Sequence, residues 1–236
     1  MLIAHQAAET FLRLCLAHWQ DAPCPWWELT RLRQPRVFPA AVSRISETLD
    51  SDATIAELLR LVSWTGDESV MAASGSWRDD DGWERHREGL RALVAYCCEL
   101  TLDGADLYNA GKHGLAILPG DDAITLGDGK VIAARGPSLT VIERTEIDGE
   151  PRWAKATHWV EYQSTIAMTT LIASAVQSLW HCGMQRRVGG AHQEKVTVFD
   201  SEVVDRARML NADEGVITQV VSSILFDRTH PLFAQK

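Results

Sequence analysis

The sequence predicts a mainly α protein, a helical bundle with a small antiparallel β-meander insertion, α+β in its order of elements. Three observations predict it. Apolar residues recur at spacings of three and four along most of the first half of the chain. Between Ala123 and Tyr162 the period changes, and short β-branched or aromatic runs alternate with Gly-, Pro- and Asp-containing turns. Helical spacing then returns from Ser164 to Arg187. One interrupted bundle explains this order more simply than two domains, because the second half holds too few helices to cover a sheet. The expected division is 1–120 for the N-terminal helical part, 121–162 for the meander, and 163–236 for the C-terminal helical part with a short mixed tail.

Each element has its own signal. Leu2 to Trp19 sets Ile3, Ala7, Phe11, Leu14 and Trp19 near one stripe, and the prolines of Asp21-Ala22-Pro23-Cys24-Pro25 end that helix. Phe38 to Leu49 and Thr54 to Ser63 read as helices, the second capped by Asp52. Gly66 to Gly82, rich in Ser, Gly and Asp, reads as a mobile loop. A long helix is expected from about Asp80 to Ala110, with Leu90, Leu93, Cys97, Leu100, Gly104 and Leu107 as its stripe. Gly104 would let a second helix approach, and the helix of Ser164 to Arg187 is the natural bundle partner. Gly111, Gly114 and Pro119-Gly120 stop the long helix. Strands are expected at Ala123 to Leu126, Lys130 to Ala134, Ser138 to Glu146 and Arg152 to Tyr162. In the tail, Lys195 to Phe199 reads as a strand and Asp200-Ser201 caps a helix to Met209. Val216 to Phe226 fits strand or helix.

Composition narrows the class. With 46% hydrophobic and 23% charged residues the chain is globular and not disordered. A net charge of −9 argues against a non-specific DNA binder, though it leaves room for RNA in a local basic groove. The five cysteines are odd in number and lack CxxC spacing, which predicts a reducing compartment and no zinc site; no metal or cofactor is expected. The N-terminus lacks a basic leader followed by an apolar run. Thr165 to Trp180, interrupted by Ser174, Gln177 and Ser178, is short for a membrane span. A cytoplasmic protein without membrane contact is expected.

The chemistry-bearing run is Tyr108-Asn109-Ala110-Gly111-Lys112-His113-Gly114. On a helix, Asp106, Asn109 and His113 share a face, Lys112 lies beside them, and Glu99 continues the stripe. Imidazole moves protons near neutral pH, the amide orients a substrate, and the ammonium binds phosphate. The same residues also read as a solvated helix face whose Lys-His pair complements the helix dipole.

A helix ending in Tyr-Asn-x-x-Lys-His-Gly and followed by a small sheet resembles uncharacterised bacterial proteins at the edge of the HEPN superfamily. The likeness covers mainly Asp103 to Gly114 and the helical context around it. It implies a homodimeric helical fold and a metal-independent ribonuclease of toxin–antitoxin, abortive-infection or CRISPR systems. Asn109, Lys112 and His113 would fill the catalytic positions, with Asp106 and Tyr108 contacting substrate and a cognate protein as a further partner. HEPN ribonucleases share an arginine, four to six residues, then a histidine. Here Leu107 and Tyr108 stand where that arginine would precede His113. Arg13 to His18, Arg152 to His158 and Arg186 or Arg187 to His192 meet the spacing, but 18 arginines and eight histidines produce such pairs by chance. Two other readings stay open: a non-catalytic regulatory or structural interaction module, and a small-molecule hydrolase using His113 with Asp106.

Elsewhere the signals are bland. His158, His181 and His192 with Cys182 lack metal-ligand spacing. Ser74-Gly75-Ser76 and Gly189-Gly190 match no phosphate loop, and Asp79-Asp80-Asp81 reads as a solvated loop or helix-start charge. No Gly-x-Ser-x-Gly elbow occurs. The nine tryptophans, among them Trp26, Trp27, Trp77, Trp83, Trp153 and Trp159, are expected mostly as core or interface anchors.

Overall fold

The computed structural model describes residues 2–63, 68–69, 81–104, 108, 118–125, 131–147, 150–188, 197–210 and 219–223. It is mainly helical with a small antiparallel sheet, as the periodicities imply. The chain folds into two compact units, Met1–Ala105 with Gln163–Leu210, and Asp106–Tyr162 with Asn211–Lys236.

The first unit is the bundle. Its helices are α1 (Leu2–Ala17), α2 (Pro25–Arg31), α3 (Val37–Thr48), α4 (Asp52–Val62), α5 (Gly82–Leu102), α6 (Tyr162–Val188, from Gln163 on) and α7 (Ser201–Met209). Helix α5 is central, packed by α1, α3, α4 and α7. Its buried stripe runs Trp83, His86, Leu90, Leu93, Val94, Cys97, Cys98 and Thr101. The core adds Phe11 and Leu12 from α1, Ile55 and Leu58 from α4, Met168, Ile172, Ala175 and Leu179 from α6, and Phe199. Burial keeps the core thiols protonated, raising Cys15 and Cys97 and pushing Cys98 up to about 12.

Several expectations need correction. The buried face of α1 is Ala4, His5, Ala8, Phe11, Leu12 and Cys15, one residue out of phase with the expected stripe, and Ile3 is 77% exposed. Small residues decide the phase, because Ala4, Ala8 and Cys15 let the helix sit close to its neighbours. The cap of α4 is Ser51, whose Oγ accepts the Thr54 N–H at 3.2 Å. Asp52 is instead the first helical residue and meets Arg87 at 3.0 Å. Helix α5 ends at Leu102, well before Ala110. There the Asp103 and Gly104 N–H groups bond back to Glu99 and Leu100 carbonyls at 2.8 and 3.2 Å, closing the last turn. Gly104 does stand beside another helix, since a Cβ there would lie 3.4 Å from the His5 ring of α1. The anticipated strand at Lys195 to Phe199 shows no ladder over 197–199, where Phe199 is a core residue. Helix α7 begins as expected, with the Asp200 carboxylate accepting the Glu202 N–H at 2.9 Å.

The second unit contains β1 (Leu118–Thr125), β2 (Val131–Ile147), β3 (Glu150–Trp159) and β4 (Gln219–Ser223), antiparallel in that order. The ambiguous Val216 to Phe226 thus contributes a strand, beside β3. Two expected strands merge into β2, because Gly136-Pro137 does not turn the chain. Register explains the tolerance of proline. The ladder with β3 ends at the Ser138–Trp159 pair, so Pro137 lies one position past it and its missing N–H interrupts no ladder bond on that side. Its carbonyl accepts the Val160 N–H at 2.9 Å. Thr140 and Thr157, directly opposed, share a 3.0 Å hydroxyl bond.

Candidate functional site

Of the residues singled out in the sequence, Asp106, Asn109, Lys112 and His113 lie outside the described residues. Tyr108 is helical and 9% exposed. Helix α5 stops at Leu102, so Glu99 lies in its last turn, where it faces Arg208 at 3.7 Å. The Gly66 to Gly82 loop is described only at 68–69 and 81–82, and Trp77 and His192 also fall outside.

The bundle contains a serine–histidine contact that sequence reasoning missed. His86 of α5 is fully buried, with Nε2 2.7 Å from the Oγ of Ser63 at the end of α4. Its Nδ1 accepts the Phe199 N–H at 2.9 Å, and its ring stacks on that phenyl at 5.9 Å. The pair is not a nucleophile and its base. A lone pair held by an amide forces the neutral ring to carry its proton on Nε2, so the imidazole donates to Ser63 and cannot take the hydroxyl proton. Desolvation pushes the pKa of His86 down to about 4. His86 therefore joins α4, α5 and the Phe199 segment. Its place between Trp83 and Leu90 on the core stripe was the available signal.

A different arrangement surrounds His18, just past α1. The chain leaves α1 through a 3₁₀ turn, Trp19–Asp21, in which Gln20 adopts a left-handed φ of 50°. The Gln20 N–H reaches the Glu57 carboxylate at 2.6 Å, which fixes the turn and carries the chain on to Ala22 and Pro23. A pocket of about 280 Å³ lies there, lined by His18, Ala22, Pro23, Gly183, Arg186 and Arg187. Arg186 donates to the Arg60 carbonyl at 2.7 Å, while the Arg60 guanidinium pairs with Glu57 at 2.6 Å. Desolvation, then Arg187, Arg186 and Arg60, hold the pKa of His18 below its usual value. These are a base and cations around one opening.

The other candidates fall into structural roles. Arg13, five residues before His18, bonds Glu9 at 2.7 Å and the Leu32 carbonyl at 2.5 Å and stacks 3.9 Å over Phe38. Its donors are spent on the fold. His181 sits on α6, 3.4 Å from Gln177, and His158 is half-buried on β3. Cys182 is buried, but its neighbour Trp180 is 64% exposed. Among the tryptophans, Trp83 is a core residue whereas Trp26 and Trp27 are 78% and 72% exposed and stand outside the core. Among the described residues no three His, Cys, Asp or Glu side chains gather as a metal site, and no helix is long and apolar enough to cross a membrane.

Comparison with protein-family models, curated proteins and solved structures finds no match to this chain.

Proposed function

We propose that the chain is a HEPN-like protein that acts on RNA as a homodimer, as a metal-independent ribonuclease of phage defence or toxin–antitoxin systems in the cytoplasm. The observation that carries this reading is a mainly helical bundle in a chain whose sequence, shortly after the central helix α5 ends at Leu102, holds the Asn109, Lys112 and His113 run preceded by Tyr108. Cleavage without metal needs a base for the 2′-hydroxyl, an acid for the leaving oxygen and a cation on the phosphate. His113 and Lys112 supply part of that set, and a symmetric partner supplies the same groups again.

The outer face of α6 supports the dimer. Ile166, Thr170, Ala173, Gln177, Trp180 and Met184, all exposed, follow one another at alternating spacings of four and three. No Asp, Glu, Lys or Arg occurs from Tyr162 to Gln185. In a chain of net charge −9, an uncharged stripe is where two copies meet without mutual repulsion.

Incubation of purified protein with total RNA, with and without EDTA, tests the activity. Cleavage that persists in EDTA and disappears in His113→Ala is expected; equal cleavage by that variant, or none by wild type, sinks the nuclease reading. Mass in solution tests the dimer, with Trp180→Glu expected to shift it to monomer without unfolding. The non-catalytic alternative is favoured by one observation: Arg13, a helical arginine at family-like spacing before His18, is held by Glu9, Leu32 and Phe38.

A further inference from the structure

We infer that the His18 pocket of the bundle is a binding site for a phosphoryl group, carried by free phosphate or by a small phosphomonoester such as a mononucleotide. Last-turn arginines on a helix commonly do no more than complement its dipole. Here they do more, because Arg186 and Arg187 line a concavity together with the His18 imidazole and Gly183. At Gly183 a Cβ would meet only the His18 ring, at 3.9 Å, so the missing side chain leaves the opening clear. About 280 Å³ holds a phosphate with room for a small organic group, and is just below the span of drug-sized sites, which begin at roughly 300 Å³.

The chemistry selects an anion. Guanidinium forks match phosphate oxygens, and a protonated imidazole adds a further donor. The charged groups facing His18 are Arg186 and Arg187 from α6 and Arg60 from α4, the last neutralised by Glu57. Desolvation and these cations oppose protonation of His18. A bound dianion reverses the balance, so occupancy and protonation of His18 favour one another and binding tightens as pH falls towards about 6, where a phosphomonoester takes up its second proton. None of its lining residues belongs to the Tyr108 to Gly114 run.

Calorimetric titration of the full chain, in a buffer free of phosphate, with inorganic phosphate and separately with adenosine 5′-monophosphate tests this. Saturable binding at one site per chain is expected, with a Kd on the order of 1 mM or tighter. Loss of one charge-assisted contact in Arg187→Gln should weaken it by about tenfold or more. Gly183→Val fills the opening without altering charge and should abolish binding. The His18 ring proton resonance should titrate at higher pH once phosphate is added. Equal affinities for the two ligands identify free phosphate as sufficient, while tighter nucleotide binding identifies an ester. No saturation up to about 10 mM of either ligand, or unchanged affinity in both variants, overturns the proposal. The titration requires no RNA cleavage, so this site and the ribonuclease reading fail separately.

Discussion

Two histidines of the same bundle, His86 and His18, are both held below the ordinary imidazole pKa, yet they do different work. His86 is sealed, with both ring nitrogens committed to Ser63 and Phe199. His18 stands at the rim of an opening among arginines. A depressed pKa therefore does not locate a functional site by itself. What separates the two is whether the ring's hydrogen-bonding capacity is already consumed by the fold.

The largest expected effect breaks the sealed side. His86→Ala removes a buried ring and strands both the Ser63 hydroxyl and the Phe199 N–H, a cavity cost added to two lost partners. A loss of about 4 kcal/mol in urea unfolding is expected. His18→Ala should stay within about 1 kcal/mol of wild type, and a comparable loss there would erase the distinction. Gly89→Ala comes next, because its Cβ would lie 2.1 Å from the Phe199 carbonyl oxygen. That carbonyl belongs to the residue whose N–H holds His86, so relief of the clash disturbs the bond, and about 3 kcal/mol is expected from the same denaturation.

Acid tests the comparison differently. His86 titrates near 6.5 when unfolded and at about 4 when folded, so between those values the unfolded chain binds the extra proton. Its contribution is complete above pH 6.5 and is lost as pH falls through about 4. The size is on the order of 3 kcal/mol. Urea midpoints of wild type and His86→Phe between pH 4 and 7 should converge towards acid. Parallel curves would show that His86 does not titrate in this way. Phosphate should leave that difference untouched while raising the pKa of His18.

How legible these features were depends on what each one requires. Helices α3, α4 and α7 follow from apolar spacing and local capping, and the sheet from turn residues, all properties of neighbouring positions. The phase of α1 was not legible, because Ala4 and Ala8 are chosen by how closely another helix approaches and not by their hydrophobicity. The continuity of β2 through Pro137 depends on where β3 begins to pair. The His86 lock needs α4, α5 and the chain before α7 together, and the His18 pocket needs the end of α1, the Pro23 turn and the last turns of α6. Non-local assembly hides both. The Tyr108 to Gly114 run is local and stood out in the sequence for that reason.

The smallest effect carries a change of sign. Gly183→Ala repeats on α6 the substitution made at Gly89 on α5, and both glycines lie inside helices. At Gly89 the new methyl group meets backbone; at Gly183 it meets only His18 Cε1 at 3.9 Å, an ordinary contact. Alanine restricts the unfolded chain and favours the helix, so a gain of roughly 0.5 to 1 kcal/mol is expected where space allows. Urea unfolding of the two variants side by side should give opposite signs. Destabilisation at Gly183 would mean that the space beside His18 is filled in the folded protein, which would count against the pocket.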